Sequence, residues 1–471
     1  MPSSGSYGMR RNVSRLDVAP NKPNRPSTEI SRSQTATATA QDDQAKQDKT
    51  RRVIAYYTHA LVTLHAFGIP LSAGLTLEYY FNNCFVTTPL ANLGLIFGIQ
   101  WIGIFAMEPL AAVMFRWKHW RRASISVAVI TVLCHAVMAR GTRLWTLTLG
   151  MRALLGVCLG FLRSVTLRCL ASHYNDDIAG SSMQSGAAAM LGAVFYSLIA
   201  WVFLRRDNYK NLAWANFYIV LFTLTPALAG LFRAPMLENI AAGIPRQKRS
   251  MPILRHHKSA RTMQSQHEFE EAVTQTNPKL ALVANSCSLG GYVLIFAFVF
   301  VWPTFFPLLF SSRPIYEYPE YADYWLIGSF AAATFTATLF AHPWPRRGLG
   351  VVNAFTAAGI FAGSLLLIAA WTPNFWVWGV ISVLYGFCLG PLLALHRKVL
   401  DLSCKYRTTT VPFPAGLGIL AFGGIGLSSF MIQKSGSGSL ALTVSGAAMV
   451  VGGCCMMVGS WLKYPKKYVV I

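Results

Sequence analysis

Charged and imidazole side chains inside apolar runs are the residues whose chemistry most needs a reason. Arg152 lies about eight residues into one such run and His65 about twelve into another. At ~1.5 Å per residue, counted from opposite faces of a layer ~30 Å thick, the two come to the same depth, near the middle. A guanidinium keeps its charge and requires an anionic or polar partner, which suits Arg152 to substrate binding or coupling. An imidazole exchanges its proton near neutral pH; His65 is suited to that, or to a hydrogen-bonded packing role. Glu108 and Arg163 fall near the inner edge of their runs. There they either form an ion pair that latches a gate or snorkel separately to the interface. Tyr292 and Tyr385 stand near the middle of runs in the second half, which carries no acidic or basic side chain at that depth. They pack or they line a site. His59, His135, Gln100 and Glu78 are further polar candidates.

Catalytic chemistry finds little support. Asn175-Asp176-Asp177 is the only acidic pair of metal-binding type, and His256-His257 sits in a polar linker. A metal centre generally needs three or four convergent ligands. No catalytic residue, metal site or cofactor is therefore expected. Of the nine Cys, seven (Cys134, Cys158, Cys169, Cys287, Cys388, Cys454 and Cys455) fall in apolar runs without a C-x-x-C pair. They read as small hydrophobes inside helices.

The elements that must position these side chains follow from composition. The chain is 13% charged and 54% hydrophobic, with mean hydropathy +0.41, whereas a soluble domain carries about a quarter charged residues. Apolar runs of about twenty residues, the length that spans hydrocarbon, start near Val53, Leu90, Ala123, Leu144, Ala179 and Leu212. Six more start near Lys279, Ala322, Gly348, Asn374, Val411 and Ser439. No period-two alternation appears, which excludes a β-barrel. The expected fold is an all-α integral membrane protein, twelve transmembrane helices in two six-helix halves around a central cavity. The halves show no evident sequence identity, so the repeat rests on layout alone.

The expected domains are a disordered cytoplasmic tail (1–52), a six-helix bundle (53–232), a cytoplasmic central loop (233–278), a second bundle (279–462) and a short tail (463–471). The central loop holds Pro235, Pro245, Pro252 and the run Arg246-Gln247-Lys248-Arg249. Its Gln264 to Thr274 stretch is either a surface helix or plain linker. The first fifty residues lack an apolar signal-peptide core, so the first span must direct insertion. The Asn12-Val13-Ser14 sequon would then be cytoplasmic.

Loop charge supports both ends inside. Of 41 Lys and Arg, 32 fall on the inner side and 7 on the outer, with Arg152 and Arg163 within a span. This explains the net charge of +23 without nucleic acid as a partner. Arg205, Arg206 and Lys210 disagree, since they would face outward.

The fourth run reads Arg152-Ala-Leu-Leu-Gly156-Val-Cys-Leu-Gly160, which resembles the R-x-x-x-G-x-x-x-G signature of the major facilitator superfamily. The fifth, Ala179-Gly180 through Gln184, Gly186 and Gly192, is similar to that of fungal monocarboxylate-porter-like or anion:cation-symporter-like members. Trp302-Pro303-Thr304 with Pro307, and Tyr385-Gly386 through Pro391, fit such members loosely. The resemblance covers Val53 to Leu462. It departs in the loop after the second span, where the usual Gly, Asp and Gly positions are Val113, Trp117 and Trp120, and only Arg121-Arg122 survive.

The resemblance implies that spans one, four, seven and ten gather His65, Arg152, Tyr292 and Tyr385 around one site. Pro70 in the first span and Gly390-Pro391 in the tenth interrupt regular hydrogen bonding, either as hinges or as tolerated kinks. A cavity with a fixed positive charge and no carboxylate favours an organic anion. The leading expectation is a secondary transporter of a small solute, working as a monomer in the lipid bilayer with protons as coupling ion. The plasma membrane is expected over a vacuolar or other internal one. An efflux pump for a toxin or secondary metabolite, and a non-transporting sensor on the same scaffold, remain alternatives.

Overall fold

The structure is a computed structural model that describes residues 28–114, 119–140, 145–174, 178–206, 208–233, 278–311, 321–342, 350–403 and 413–463. Two compact units divide the chain, residues 1–50 and 51–471, and the contacts of the candidate site lie within the second. In the first unit helix extends from Thr28, inside the stretch expected as a disordered tail; its Ala, Gln and Lys residues are good helix formers. The central loop with Arg246 to Arg249, His256-His257 and Gln264 to Thr274 lies outside the described residues. So do Asn12, Trp117, Asn175-Asp176-Asp177 and residues 464–471.

The protein is an all-α, multi-pass integral membrane protein. Twelve described helices are long and apolar enough to cross a bilayer: Lys46–Cys84, Leu90–Met114, Trp120–Arg140, Trp145–His173, Ile178–Leu204, Tyr209–Arg233, Lys279–Ser311, Tyr321–Ala341, Val351–Trp371, Phe375–Ser403, Ala415–Ser435 and Ser439–Leu462. Among the described residues there is no strand, as expected where hydrocarbon offers backbone groups no partner outside their own segment. The terminal face is the one where the first span begins and the twelfth ends; the other is the opposite face.

Three spans are interrupted, each for a local reason. The first stops at Leu71 and resumes at Ala73, because Pro70 has no N–H to continue the ladder. Ser72 stitches the break, its N–H donating to the Gly68 carbonyl and its hydroxyl to that of Ile69, both at 3.0 Å. The fifth breaks at Ser185, whose hydroxyl donates to the Ser182 carbonyl at 2.9 Å. The seventh stops at Phe298 and restarts at Val301. There Pro303 cannot donate to the Val299 carbonyl, and the Tyr385 hydroxyl of the tenth span donates to it instead, at 2.8 Å. Tyr385→Phe leaves that buried carbonyl without a partner, at a cost of about 1–3 kcal/mol. The purified variant should melt a few degrees lower in detergent, and an unchanged melting temperature would exclude this role.

The tenth span, by contrast, runs unbroken from Phe375 to Ser403 through Gly390 and Pro391. Gly390 packs closely, its missing Cβ leaving room for the Thr336 hydroxyl and the Ala333 carbonyl of the eighth span.

The halves do share sequence. Gly156-Val-Cys-Leu-Gly160-Phe-Leu162 in the fourth span matches Gly386-Phe-Cys-Leu-Gly390-Pro-Leu392 in the tenth. Both helices are 29 residues long, and each motif starts at the same distance from its helix start, Trp145 or Phe375. The packing repeats as well. Gly156 and Gly160 lie against Gln100, Gly103 and Ile104 of the second span, and Gly386 and Gly390 against Ser329 and Ala333 of the eighth. Close approach of glycine faces is how helices bind each other in lipid, where burial gives no hydrophobic gain. The seven-residue match is too short to stand out until the two helices are aligned by their starts.

Candidate functional site

Buried charge gathers in two places, one between the halves and one inside the first half. The first centres on Arg163. Because the fourth span continues to His173, Arg163 stands ten residues from its end, or about 15 Å, and is a midspan residue. Its guanidinium carbon lies 4.8 Å from the Phe67 ring centroid and 5.7 Å from that of Phe105. Cation–π contact of this kind offsets part of the lost hydration. Arg163 is 2% exposed, and its Nε and Nη1 have no hydrogen-bond partner.

Around it, rings from both halves meet. Trp101 lies on Phe300 with centroids 4.1 Å apart, and Phe105 meets Phe296 edge-on at 5.5 Å. His396 of the tenth span contacts Phe105 and Phe296 at 6.2 and 5.8 Å. Its Nδ1 lies 2.7 Å from the Leu393 carbonyl, which can only accept. Nδ1 therefore carries the hydrogen, and Nε2 is left as the basic nitrogen.

Toward the terminal face, Glu108 and Arg397 form a buried ion pair that joins the second span to the tenth, each side chain 8% exposed. Each stands six residues before its helix end, at Met114 and Ser403. Glu108 thus pairs with Arg397 rather than with Arg163, which stays within electrostatic reach. Sequence reading missed His396 and Arg397 because a twenty-residue span ends before them, whereas the helix carries them into the interior.

The second cluster lies within the first half. Arg152 donates through Nη1 to the Gln100 Oε1 at 3.2 Å, and its guanidinium carbon lies 5.2 Å from the Phe97 centroid. The Tyr80 and Tyr209 hydroxyls are hydrogen-bonded to each other within its electrostatic reach. His135, 1% exposed, lies in reach of both Arg152 and His65. His65 itself turns toward the fifth and sixth spans. Its Nδ1 is 2.6 Å from the Tyr196 hydroxyl, and its Nε2 is 2.6 Å from the Thr223 hydroxyl. Thr223 donates to the Ile219 carbonyl, so it accepts from Nε2–H, and Nδ1 accepts from Tyr196. Both nitrogens of a neutral ring are satisfied.

The four residues expected around one site are thus held within their own halves. Tyr292 stacks with Phe296 and Phe355, with centroids at 5.8 and 5.4 Å, and Tyr385 closes the seventh-span break. At the opposite face a cavity of about 160 Å³ is lined by Glu78, Tyr79, Asn82, Trp201, Arg205 and Asp323. Arg205 pairs with Asp323 of the eighth span at 3.9 Å and lies over the Trp201 and Tyr324 rings at 5.3 and 5.4 Å. This basic loop, anomalous by charge counting, is therefore partly neutralised from the other half.

No family model matches the sequence, and no curated protein sequence matches it significantly. Solved structures do match in shape. The nucleoside transporter NupG superposes with TM-score 0.54 at 12% identity, covering 88% of this chain and 99% of that one. The human organic anion transporter MFSD10 gives 0.53 at 15% identity, over 86% and 99%. The xylose transporter XylE from E. coli, in a partially occluded inward-open conformation, gives 0.58 at 13%, over 87% and 99%. At this identity the likeness is one of fold: the chain shares the fold of these three transporters.

Proposed function

We propose that the protein is a secondary active transporter of a small organic anion, moving it by alternating access between the two halves. The observation that carries this reading is Arg163. It is a buried cation between the halves with two unpartnered nitrogens, while Glu108, the carboxylate within its electrostatic reach, is committed to Arg397. A solute carboxylate would accept a charge-assisted hydrogen bond from one of those groups, and the rings of Phe67, Phe105 and Phe296 would cover an organic body. The Glu108–Arg397 pair would close the terminal face, and Arg205–Asp323 the opposite one. Likeness of fold to an organic anion transporter is compatible with this substrate class; nucleoside and sugar carriers share the fold equally.

Counterflow in proteoliposomes tests it, with a panel of aromatic and aliphatic monocarboxylates against neutral sugars and nucleosides. Flux should select carboxylates and fall at least tenfold in Arg163→Gln, with Arg163→Lys partly active. Flux of neutral solutes that survives Arg163→Gln would overturn the reading. An imposed pH gradient on the same vesicles separates uptake from efflux by the sign of accumulation.

A further inference from the structure

The polar cluster inside the first half has no role in that reading, and its hydrogen bonds do not balance. Arg152 is 6% exposed, Gln100 0% and His135 1%. Unpartnered atoms remain on all three: Arg152 Nε, Gln100 Nε2, and both ring nitrogens of His135. Each of these side chains therefore keeps at least one N–H without an acceptor. The Tyr80–Tyr209 pair shares a single hydrogen bond, which leaves the second phenolic hydrogen to donate elsewhere. Gln100 Oε1 already takes the Arg152 hydrogen bond, which leaves the free ring nitrogen of His135 as the remaining side-chain acceptor among these three residues. Among the described residues no carboxylate is ion-paired with Arg152. A guanidinium cannot discharge itself by losing its proton, and an isolated buried charge is strongly disfavoured.

We infer that Arg152, Gln100, His135 and the Tyr80–Tyr209 pair hold a small inorganic anion of the halide class, at a site separate from the axial one. Buried donors that outnumber their acceptors around a fixed cation suit an anion, whereas a water molecule would leave the charge uncompensated. Size favours a monatomic ion. Gly156 and Gly103 bring the fourth and second spans into backbone contact beside Gln100, which leaves an organic solute little room. The inference stands independently of the axial reading, because no group is shared between them.

The test is thermal melting of the purified full chain in detergent, replacing sodium gluconate by sodium chloride or bromide at constant ionic strength. The melting temperature should rise saturably, by a few degrees, in the parent and in Arg163→Gln, and stay flat in Arg152→Gln. Chloride-35 line broadening on the parent protein, reversed by bromide, provides a second measurement that needs no variant. The inference fails if the parent shows neither a saturable rise nor reversible broadening. It fails equally if the dependence persists in Arg152→Gln, or vanishes in Arg163→Gln, which would move the anion to the axis.

Discussion

Glu108→Gln should destabilise the protein more than Arg397→Leu, although the two side chains are partners in one ion pair. Breaking a buried pair from one side costs about 3–5 kcal/mol, because the remaining charge loses its counterion. The two sides are not equivalent here. Removing Arg397 leaves Glu108 with Arg163 still in electrostatic reach, and a small side-chain shift can re-form a pair. Removing the Glu108 charge leaves Arg163 and Arg397 together, two buried cations that have lost the carboxylate between them. The double replacement Glu108→Leu with Arg397→Leu should recover part of the Glu108→Gln loss, since it removes the Arg163–Arg397 repulsion, but should stay below Arg397→Leu because Arg163 still loses its carboxylate. Melting temperatures of the three variants in detergent provide the check. Equal losses from the two single variants would mean that Arg163 does not share the Glu108 field.

Gly386→Ala should be as damaging as many larger changes. A Cβ at this position overlaps the Ser329 carbonyl oxygen, which is backbone and cannot rotate away. The eighth and tenth spans must separate, and the expected loss is about 3 kcal/mol or more, at the upper end for overpacking. Gly156→Ala should behave alike, since its Cβ overlaps the Gln100 carbonyl of the second span. Gly150→Ala is the control: nothing lies within 4 Å of its Cβ, and alanine favours helix. Size-exclusion profiles and melting curves would show two damaged variants and one intact. A tolerated Gly386→Ala would mean that the packing of the eighth span on the tenth is looser than described.

The spans themselves were legible, because crossing hydrocarbon imposes a long apolar run that few other structures need. The depth of polar residues was not. A twenty-residue ruler puts Arg163 at an edge and Arg397 in a loop, yet both fourth and tenth helices are 29 residues long. Direction was equally hidden. His65 and Arg152 share a depth, but depth does not say which face of a helix a side chain leaves from. His65 is claimed by Tyr196 and Thr223, partners more than a hundred residues away. The role of Tyr385 was hidden for a related reason, since it answers a proline in another span. The Gly-x-Cys-Leu-Gly-x-Leu repeat was visible in principle, but only to a comparison anchored at the two helix starts.

The closely packed, tilted rings of Trp101 and Phe300 have an electrical consequence. A file of water or of linked hydroxyls conducts protons, whereas edge-packed aromatic carbon does not. Where these rings close on each other, the contact between the halves is aromatic carbon, which carries neither ions nor protons. If water reaches this contact from either side, a potential across the bilayer drops most steeply over it. The guanidinium of Arg163 sits beside the same rings, so any rocking that shifts it along the membrane normal moves charge through the steepest part of that field.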